Sequence, residues 1–323
     1  MPTAENAKLQ YEAGQASAAM AALTDSGDKT TFTSGASLWS GRSGYAPVVR
    51  PNGLLTGGAI TPTAVNNQVS VAALTLNLNG VVTSVNAGTL LATRGLTTDI
   101  CCITSLTVNS SGVLTAVAGT DHTAFSEVRG DPGGPPFIAV DSVEIGQVRL
   151  GSITAAVVAA AEIFTVVGVH RETADYPLHA INYNGGSVTF DSALPASHTG
   201  SVAKKVYASY ASPIFADVSL ASDFVPPETA HSVASVQVYG STIGSTASTL
   251  NQGTFTAYLQ NGVSDGLVAL KNANLWFKFF PDRYQSRYIL AQGKLGIART
   301  FPAGDSIQAA CTVSASSAAV EVA

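Results

Sequence analysis

The sequence predicts a mainly β protein built from antiparallel strands. Apolar and polar residues alternate in stretches such as 68–78, 187–190 and 233–239, and this period of two is typical of strands with one buried face. Val, Thr, Ile and Tyr dominate these stretches, as strands prefer. Between such stretches lie turn pairs that tolerate positive φ, namely Asn79-Gly80, Ser111-Gly112, Asn184-Gly185 and Asn261-Gly262. We therefore predict an antiparallel β-sandwich or barrel with one short helix, plus a small separate β module.

Residues 1–50 are predicted to form an N-terminal arm followed by a hairpin. The segment 5–23 is rich in helix-forming residues, so a helix is the alternative for the arm. The turn residues Asp25-Ser26-Gly27 favour a hairpin within 20–33. We expect an extended arm and then the hairpin.

Residues 51–150 are predicted to form the small β module. The segments 50–58 and 129–137 are rich in Gly and Pro and mark its two ends. Inside it, the segment 78–89 resembles 109–120, and each reads as strand, tight turn and strand. Two copies are too few for a solenoid, so we expect two similar hairpins.

Residues 151–323 are predicted to form the main β domain. A short helix is expected at 264–272, capped by Ser264, with Leu267 and Leu270 three positions apart on the face toward the sheet. The strand 275–280 follows the helix and ends before Pro281.

The composition is poor in charge. Of 323 residues, 46% are hydrophobic and only 11% are charged, against a usual charged share of about 25%. The net charge of −5 argues against nucleic-acid binding over the whole surface. Residues 271–323 hold six basic and three acidic side chains, so this segment alone carries a net +3. A neutral, hydroxyl-rich surface suits packing against other copies of the chain.

The sequence contains no recognisable catalytic or metal-binding motif. Three cysteines are too few for a disulfide framework, and the motifs of nucleophilic, phosphate-binding and zinc-dependent enzymes are absent. We expect no enzyme activity, no cofactor and no metal. No secretion signal is expected, and the apolar segment 153–169 is too short for a membrane span.

Two further segments contain residues that could form a functional site, but we interpret both as loops. The segment 170–179 contains ligand types suited to a metal, but Pro177 breaks any helix that would align them, and the candidate residues are His170, Glu172, Asp175 and His179. Arg129-Gly130-Asp131 spells an adhesion tripeptide, which we attribute to chance.

The aromatic and basic segment 274–288 is the strongest candidate for function. On a strand, alternate residues face opposite sides, so Leu275, Phe277 and Phe279 are predicted to face the core. The other face and the following turn combine aromatic and basic residues, as interface cores do. The predicted inter-subunit interface is Trp276, Lys278, Phe280, Arg283, Tyr284, Arg287 and Tyr288. Internal core and single-strand nucleic-acid binding are the alternatives.

Residues 220–245 and 264–323, with the N-terminal segment 7–23, resemble the major tail proteins of long non-contractile-tailed bacteriophages. The likeness lies in the short helix, the aromatic strand and the last two strands. Residues 51–150 lie outside this resemblance. Their pattern of short strands and turns is similar to that of the small β domains that decorate phage tails and fibres.

The resemblance implies a tail tube subunit that closes into stacked rings, hexameric as is usual in that family, around a lumen for viral DNA. It also implies contacts with a tape-measure protein and with tail-terminator or tip proteins, and a place in the virion tail after synthesis in the host bacterial cytoplasm. No membrane partner is expected. On this hypothesis, acidic residues line the lumen, namely Asp217, Asp223 and Glu228, and the module 51–150 lies on the tube exterior. A phage fibre or receptor-binding protein and a capsid decoration protein are the alternatives.

Overall fold

The computed structural model confirms the predicted mainly β, antiparallel fold. Strands hold 52% of the chain and helices 2%, and the strands form several antiparallel sheets. The structure describes residues 5–195, 197, 198, 202 and 204–323.

The chain runs through short and long strands with irregular connections. Up to residue 150 the strands are β1 (Lys8–Ala22), β2 (Thr24–Asp25), β3 (Thr31–Thr33), β4 (Val48–Pro51), β5 (Gly53–Gly57), β6 (Ile60–Pro62), β7 (Gln68–Val71), β8 (Leu74–Leu78), β9 (Val81–Val85), β10 (Gly88–Leu91), β11 (Cys102–Val108), β12 (Leu114–Ala118) and β13 (Val143–Leu150). A 3₁₀ turn, Ala160–Glu162, precedes the remaining elements: β14 (Ile163–Phe164), β15 (His179–Asn182), β16 (Ser187–Phe190), β17 (Val206–Asp217), β18 (Ala221–Val225), β19 (Thr229–Val238), β20 (Ser241–Leu250), β21 (Gly253–Tyr258), α1 (Gly266–Ala269), β22 (Asn274–Phe280), β23 (Tyr288–Thr300), β24 (Gln308–Ala315) and β25 (Val320–Val322).

These elements form two compact units, neither of which is continuous in sequence. Unit 1 contains the residues up to Ser17, then Leu38–Ala46 and Ala211–Ala323. Unit 2 contains Ala18–Ser37 and Pro47–Tyr210. The strands β1 and β17 contribute residues to both units.

The sequence-based divisions can be placed on these units. The segments 1–50 and 151–323 each supply residues to both units, whereas 51–150 lies within unit 2. The N-terminal arm is extended as β1, and the hairpin expected around Asp25 is present as β2 and β3.

Unit 1 is built on one curled sheet. Its strands follow the order β18-β21-β24-β23-β22-β1-β17, and β25 pairs with the start of β23. The two ends of this order are consecutive in the chain, because only residues 218–220 separate β17 from β18. The sheet therefore curls back on itself, as in a partly open barrel.

A single core lies inside this curled sheet. Alternate residues of each strand point inward, so Leu275 and Phe277 of β22 meet Leu295 of β23 and Phe255 of β21. Side chains of β1 and β24 complete the core, and those of β17 and β18 pack against it. The inward face predicted for 275–279 is confirmed for Leu275 and Phe277, which are fully buried.

The predicted helix is present but shorter than expected. Leu267 of α1 and Leu270 at its C-cap enter the core, as the sequence predicts. The residue at the N-cap is Asp265 and not Ser264. Its carboxylate accepts hydrogen bonds from the backbone N–H groups of Gln260 and Gly262, at 2.8 and 2.7 Å.

One of the four predicted tight turns is not a hairpin. Asn261-Gly262 belongs to the turn that Asp265 closes before α1. The physical reason is that a carboxylate three or four residues ahead satisfies these backbone donors, so that no partner strand is needed.

Unit 2 contains several small antiparallel sheets. Their orders are β10-β7-β6, β5-β8-β9, β12-β11-β13-β14 and β15-β16-β3-β2, and β4 pairs with the first residues of β17. The first three sheets share one core of Val and Leu side chains. The two hairpins of the internal repeat are β8–β9 and β11–β12, and Asn79 and Gly80 both have positive φ, 53° and 79°.

Candidate assembly surface

The strand β22 lies inside the curled sheet of unit 1. It pairs with β1 on one side, from Lys8↔Phe280 to Tyr11↔Phe277, and with β23 on the other. Its backbone is therefore occupied along both edges, and only side chains on its outer face remain for contact with another molecule.

Trp276 on that outer face is already buried within unit 1. Trp276 is only 5% exposed, and its indole N–H donates a hydrogen bond to the carbonyl of Trp39 at 2.8 Å. The segment Leu38–Ala46 thus covers the position where the sequence analysis places an exposed interface residue. An indole enclosed by its own unit favours the internal-core alternative for Trp276, and its place in an inter-subunit interface stays a prediction.

A buried carboxylate holds this covering segment in place. Glu12 on β1 is fully buried and accepts a hydrogen bond from the hydroxyl of Ser40. It also accepts from the Gln15 side chain at 2.8 Å and from the backbone N–H of Trp276 at 3.1 Å. Three donors compensate the cost of burying a carboxylate, so Glu12 links the arm, the covering segment and β22.

Lys278, Phe280 and Tyr288 form a half-buried aromatic and cationic group. The Lys278 ammonium lies 4.2 Å from the ring centre of Phe215 and 4.8 Å from that of Tyr288. The Phe280 and Tyr288 rings are 5.2 Å apart, and Lys8 lies over Phe280. Burial lowers the pKa of Lys278. The Lys278 ammonium and its aromatic neighbours therefore already contact one another within unit 1.

The turn after β22 is the exposed part of the predicted interface. Arg283 donates to the carbonyls of Asn6 and Ala7, at 3.2 and 3.0 Å, and so pins the start of the arm. Arg287 is exposed, and Tyr284 is 79% exposed.

The three acidic residues proposed to line a lumen are exposed and close in sequence. Asp217 ends β17 and accepts from the Gln10 side chain at 2.7 Å. Asp223 lies in β18 with a positive φ of 56°, where the pairing with β21 is irregular. Glu228 directly precedes β19. Their place along a lumen stays a prediction.

The hairpin β19–β20 is the most unusual feature of unit 1. Each strand has ten residues, and within the part of the chain that the structure describes they pair only with each other. Every hairpin residue whose side chain is described is exposed. An isolated two-stranded hairpin is marginally stable in water, and no further strand among the described residues extends this one.

One face of the hairpin carries most of its apolar residues, interspersed with Ser and Thr. Cross-strand partners share a face, and the pair Val236↔Ile243 is 64% and 60% exposed. Ala230, Ala234 and Ala247 share that face by the same register. Residues 229–250 include no Asp, Glu, Lys or Arg, so nothing charged prevents burial of this face.

Period-two alternation predicts a strand at 233–239, whereas the hairpin as a whole was not predicted. The signal was present, because a stretch of twenty-two residues, 229–250, without a charged side chain surrounds one Tyr-Gly turn. Its isolation from other strands depends on long-range pairing and has no local signature.

The weaker candidates do not assemble into sites. His170 contacts Arg149, and Glu172 pairs with Lys204 at 2.6 Å. Among the residues that the structure describes, no group of three or more His, Cys, Asp or Glu side chains is placed to hold a metal ion. Arg129 of the adhesion tripeptide is engaged with the Glu144 carboxylate and with the carbonyl of Pro136.

Comparison with known proteins adds no assignment: no family model matches the chain, and no curated protein matches it significantly. Over the described part of the chain, no helix has the length and apolar character needed to cross a membrane.

Proposed function

We propose that this chain is a self-assembling structural subunit of a bacteriophage tail tube. The observation that carries the proposal is the uncharged, exposed hairpin β19–β20, which lacks a packing partner among the described residues. Exposed apolar strand pairs are an aggregation hazard unless a specific partner covers them. A second copy of a charge-poor chain is such a partner.

The kind of assembly follows from the proposal. A contact between the hairpin of one copy and a different surface of the next is heterologous, and heterologous contacts generate rings or filaments. Stacked rings around a DNA-conducting lumen are the form that the sequence resemblance implies. In that setting the tape-measure and tail-terminator or tip proteins are further partners, and the location is the virion tail.

The hairpin is tested by replacing its central apolar pair with Val236→Asp and Ile243→Lys. These residues are cross-strand partners, so the new charges attract each other and the hairpin itself is retained. The two charges oppose burial of this hairpin face against a neighbouring subunit. Losing two buried apolar side chains costs about 3–6 kcal/mol, which raises the concentration needed for assembly on the order of 100-fold or more.

Negative-stain microscopy and light scattering read out this experiment. The unchanged chain is expected to form rings or tubes about 100 Å wide, and the double variant is expected to stay monomeric and folded. Val82→Asp is the matched control, because Val82 is also an exposed strand valine but lies in unit 2. Assembly of the double variant at the normal concentration rejects the hairpin contact. Elongated trimers of the unchanged chain favour the fibre alternative, and a persistent monomer rejects assembly altogether.

The lumen assignment predicts a change in DNA retention. Replacing Asp217, Asp223 and Glu228 by Lys is expected to make assembled tubes retain DNA, because added cations release phosphate counterions on binding. The logarithm of the affinity should then fall with the logarithm of salt by roughly 0.9 for each phosphate contacted. A filter-binding titration against salt measures this slope, and tubes that bind no DNA would show that these residues face elsewhere.

A further inference from the structure

His170 lies against a fixed cation in the interior of unit 2. The residue is buried, and Nη2 of Arg149 lies 2.9 Å from its Nε2. A guanidinium has only donors to offer, so Nε2 accepts this hydrogen bond and the ring proton of neutral His170 lies on Nδ1. The contact therefore selects the neutral imidazole.

Arg149 is held in this position from several sides. It donates two hydrogen bonds to the Glu127 carboxylate, one of them at 2.8 Å, and one to Gln147 at 3.3 Å. Its guanidinium also lies 4.4 Å from the ring centre of Phe164, whose edge packs on His170. These contacts leave the guanidinium little freedom to withdraw from a charged neighbour.

The charged groups that face His170 are Arg149 on β13 and Glu127 in the connection between β12 and β13. The strand β14 contributes the uncharged ring of Phe164. On the element of His170 itself, Arg171 points to the carbonyls of Ile145 and Gly58. Burial and Arg149 lower the pKa of His170 from the ordinary 6.5, and Glu127 offsets this only in part.

We propose that His170 is a proton-sensitive latch that holds the turn 164–171 on β13. A proton on Nε2 removes the acceptor of the Arg149 hydrogen bond and places two cations at hydrogen-bonding distance in a buried site. Outward movement of the turn relieves this repulsion. The turn carries three exposed valines, Val166, Val167 and Val169, so its release changes an apolar part of the surface of unit 2.

The direction of the pH effect follows from linkage. The pKa of folded His170 lies below that of the unfolded chain. Its contribution to stability is therefore complete above about pH 6.5 and is lost as the pH falls through the folded value. Mild acid is expected to open the turn, whereas neutral and alkaline conditions keep it closed. This device is independent of the proposed tube assembly.

Hydrogen exchange of the turn tests the latch. After correction for the intrinsic rate, opening of residues 164–172 is expected to rise about tenfold between roughly pH 7.5 and 5.5. His170→Gln keeps an acceptor for Arg149 but does not titrate, so its opening should be nearly independent of pH. The control His122→Gln removes an exposed histidine of the same unit and should retain the full dependence. Equal pH dependence in His170→Gln and the unchanged chain overturns the proposal.

The tautomer gives a second, independent readout. Nitrogen-resolved NMR of the histidines is expected to show His170 protonated on Nδ1, with a pKa below 6.5. A ring protonated on Nε2, or a titration at or above the ordinary value, rejects the latch even if His170→Gln fails to fold.

Discussion

Replacing Trp276 by Ala is expected to destabilise unit 1 by about 3–5 kcal/mol, the usual cost of truncating a buried large aromatic side chain. Trp276 is only 5% exposed, and its removal also leaves the Trp39 carbonyl without the indole donor. An interface residue would behave differently, because its truncation would impair assembly and leave the isolated subunit stable. The two roles therefore predict opposite changes in the monomer.

Urea unfolding under dilute conditions distinguishes these outcomes. Trp39 is fully buried in the same unit and remains as the fluorescent reporter in Trp276→Ala. The matched control is Tyr284→Ala, which truncates an aromatic residue that is 79% exposed and should change stability by less than about 0.5 kcal/mol. An unchanged urea midpoint for Trp276→Ala, with loss of assembly, would restore Trp276 to the interface.

Replacing Lys204 by Met is expected to destabilise unit 2 by about 3–5 kcal/mol, because it leaves a buried carboxylate without its cation. The Lys204 ammonium and the Glu172 carboxylate are both almost fully buried and lie 2.6 Å apart. Glu172 retains hydrogen bonds from Ser197 and from the backbone N–H of Glu144, at 2.7 and 2.8 Å. Those neutral donors compensate only part of the desolvation cost.

The double variant Lys204→Met with Glu172→Leu provides the decisive comparison. Removing both charges leaves an apolar pair of similar volume, so the double variant should be more stable than either single variant. It should stay below the unchanged chain, because Ser197 and the backbone N–H of Glu144 lose the acceptor that Glu172 provides. Chemical denaturation, monitored by hydrogen exchange in unit 2, measures the stabilities of the two single variants and the double variant, which together form a double-mutant cycle. Additive losses in the double variant would show that the two charges do not depend on each other.

The same pair predicts acid sensitivity. Burial alone raises the pKa of Glu172, but Lys204 and the surrounding hydrogen-bond donors outweigh this and hold it below the ordinary 4.5. A carboxylate with a depressed folded pKa contributes stability above its unfolded value, and that contribution is lost as the pH falls through the folded value. In Lys204→Met the cation no longer offsets burial, so the pKa of Glu172 should rise and the variant should regain stability as the pH falls, as unfolding curves at a series of pH values would show.

Much of the fold could be predicted from local sequence patterns. Period-two alternation identified strands because a strand presents neighbouring residues to opposite faces wherever it lies. The turn Asn79-Gly80 was predictable because its two residues tolerate the positive φ that a two-residue hairpin requires. Leu275 and Phe277 were assigned to the core by the same alternation, and both are buried.

The candidate surface was harder to predict because both faces of β22 carry large aromatic residues. Alternation separates these faces but does not say what covers the second one. The cover is a segment more than 200 residues earlier in the chain, held by Ser40 and Trp39. Such a contact leaves no periodic trace in the local sequence.

The sequence by itself determined that this protein is made of antiparallel strands, that its surface is poor in charge, and which residues of β22 enter the core. These properties follow from side-chain chemistry and strand geometry, which act over a few residues. Only the tertiary structure decided that Trp276 is enclosed, that β19 and β20 pair with each other alone, and that His170, Arg149 and Glu127 meet in unit 2. Those outcomes depend on which distant segments pack together, and that choice reflects the free energy of the whole chain.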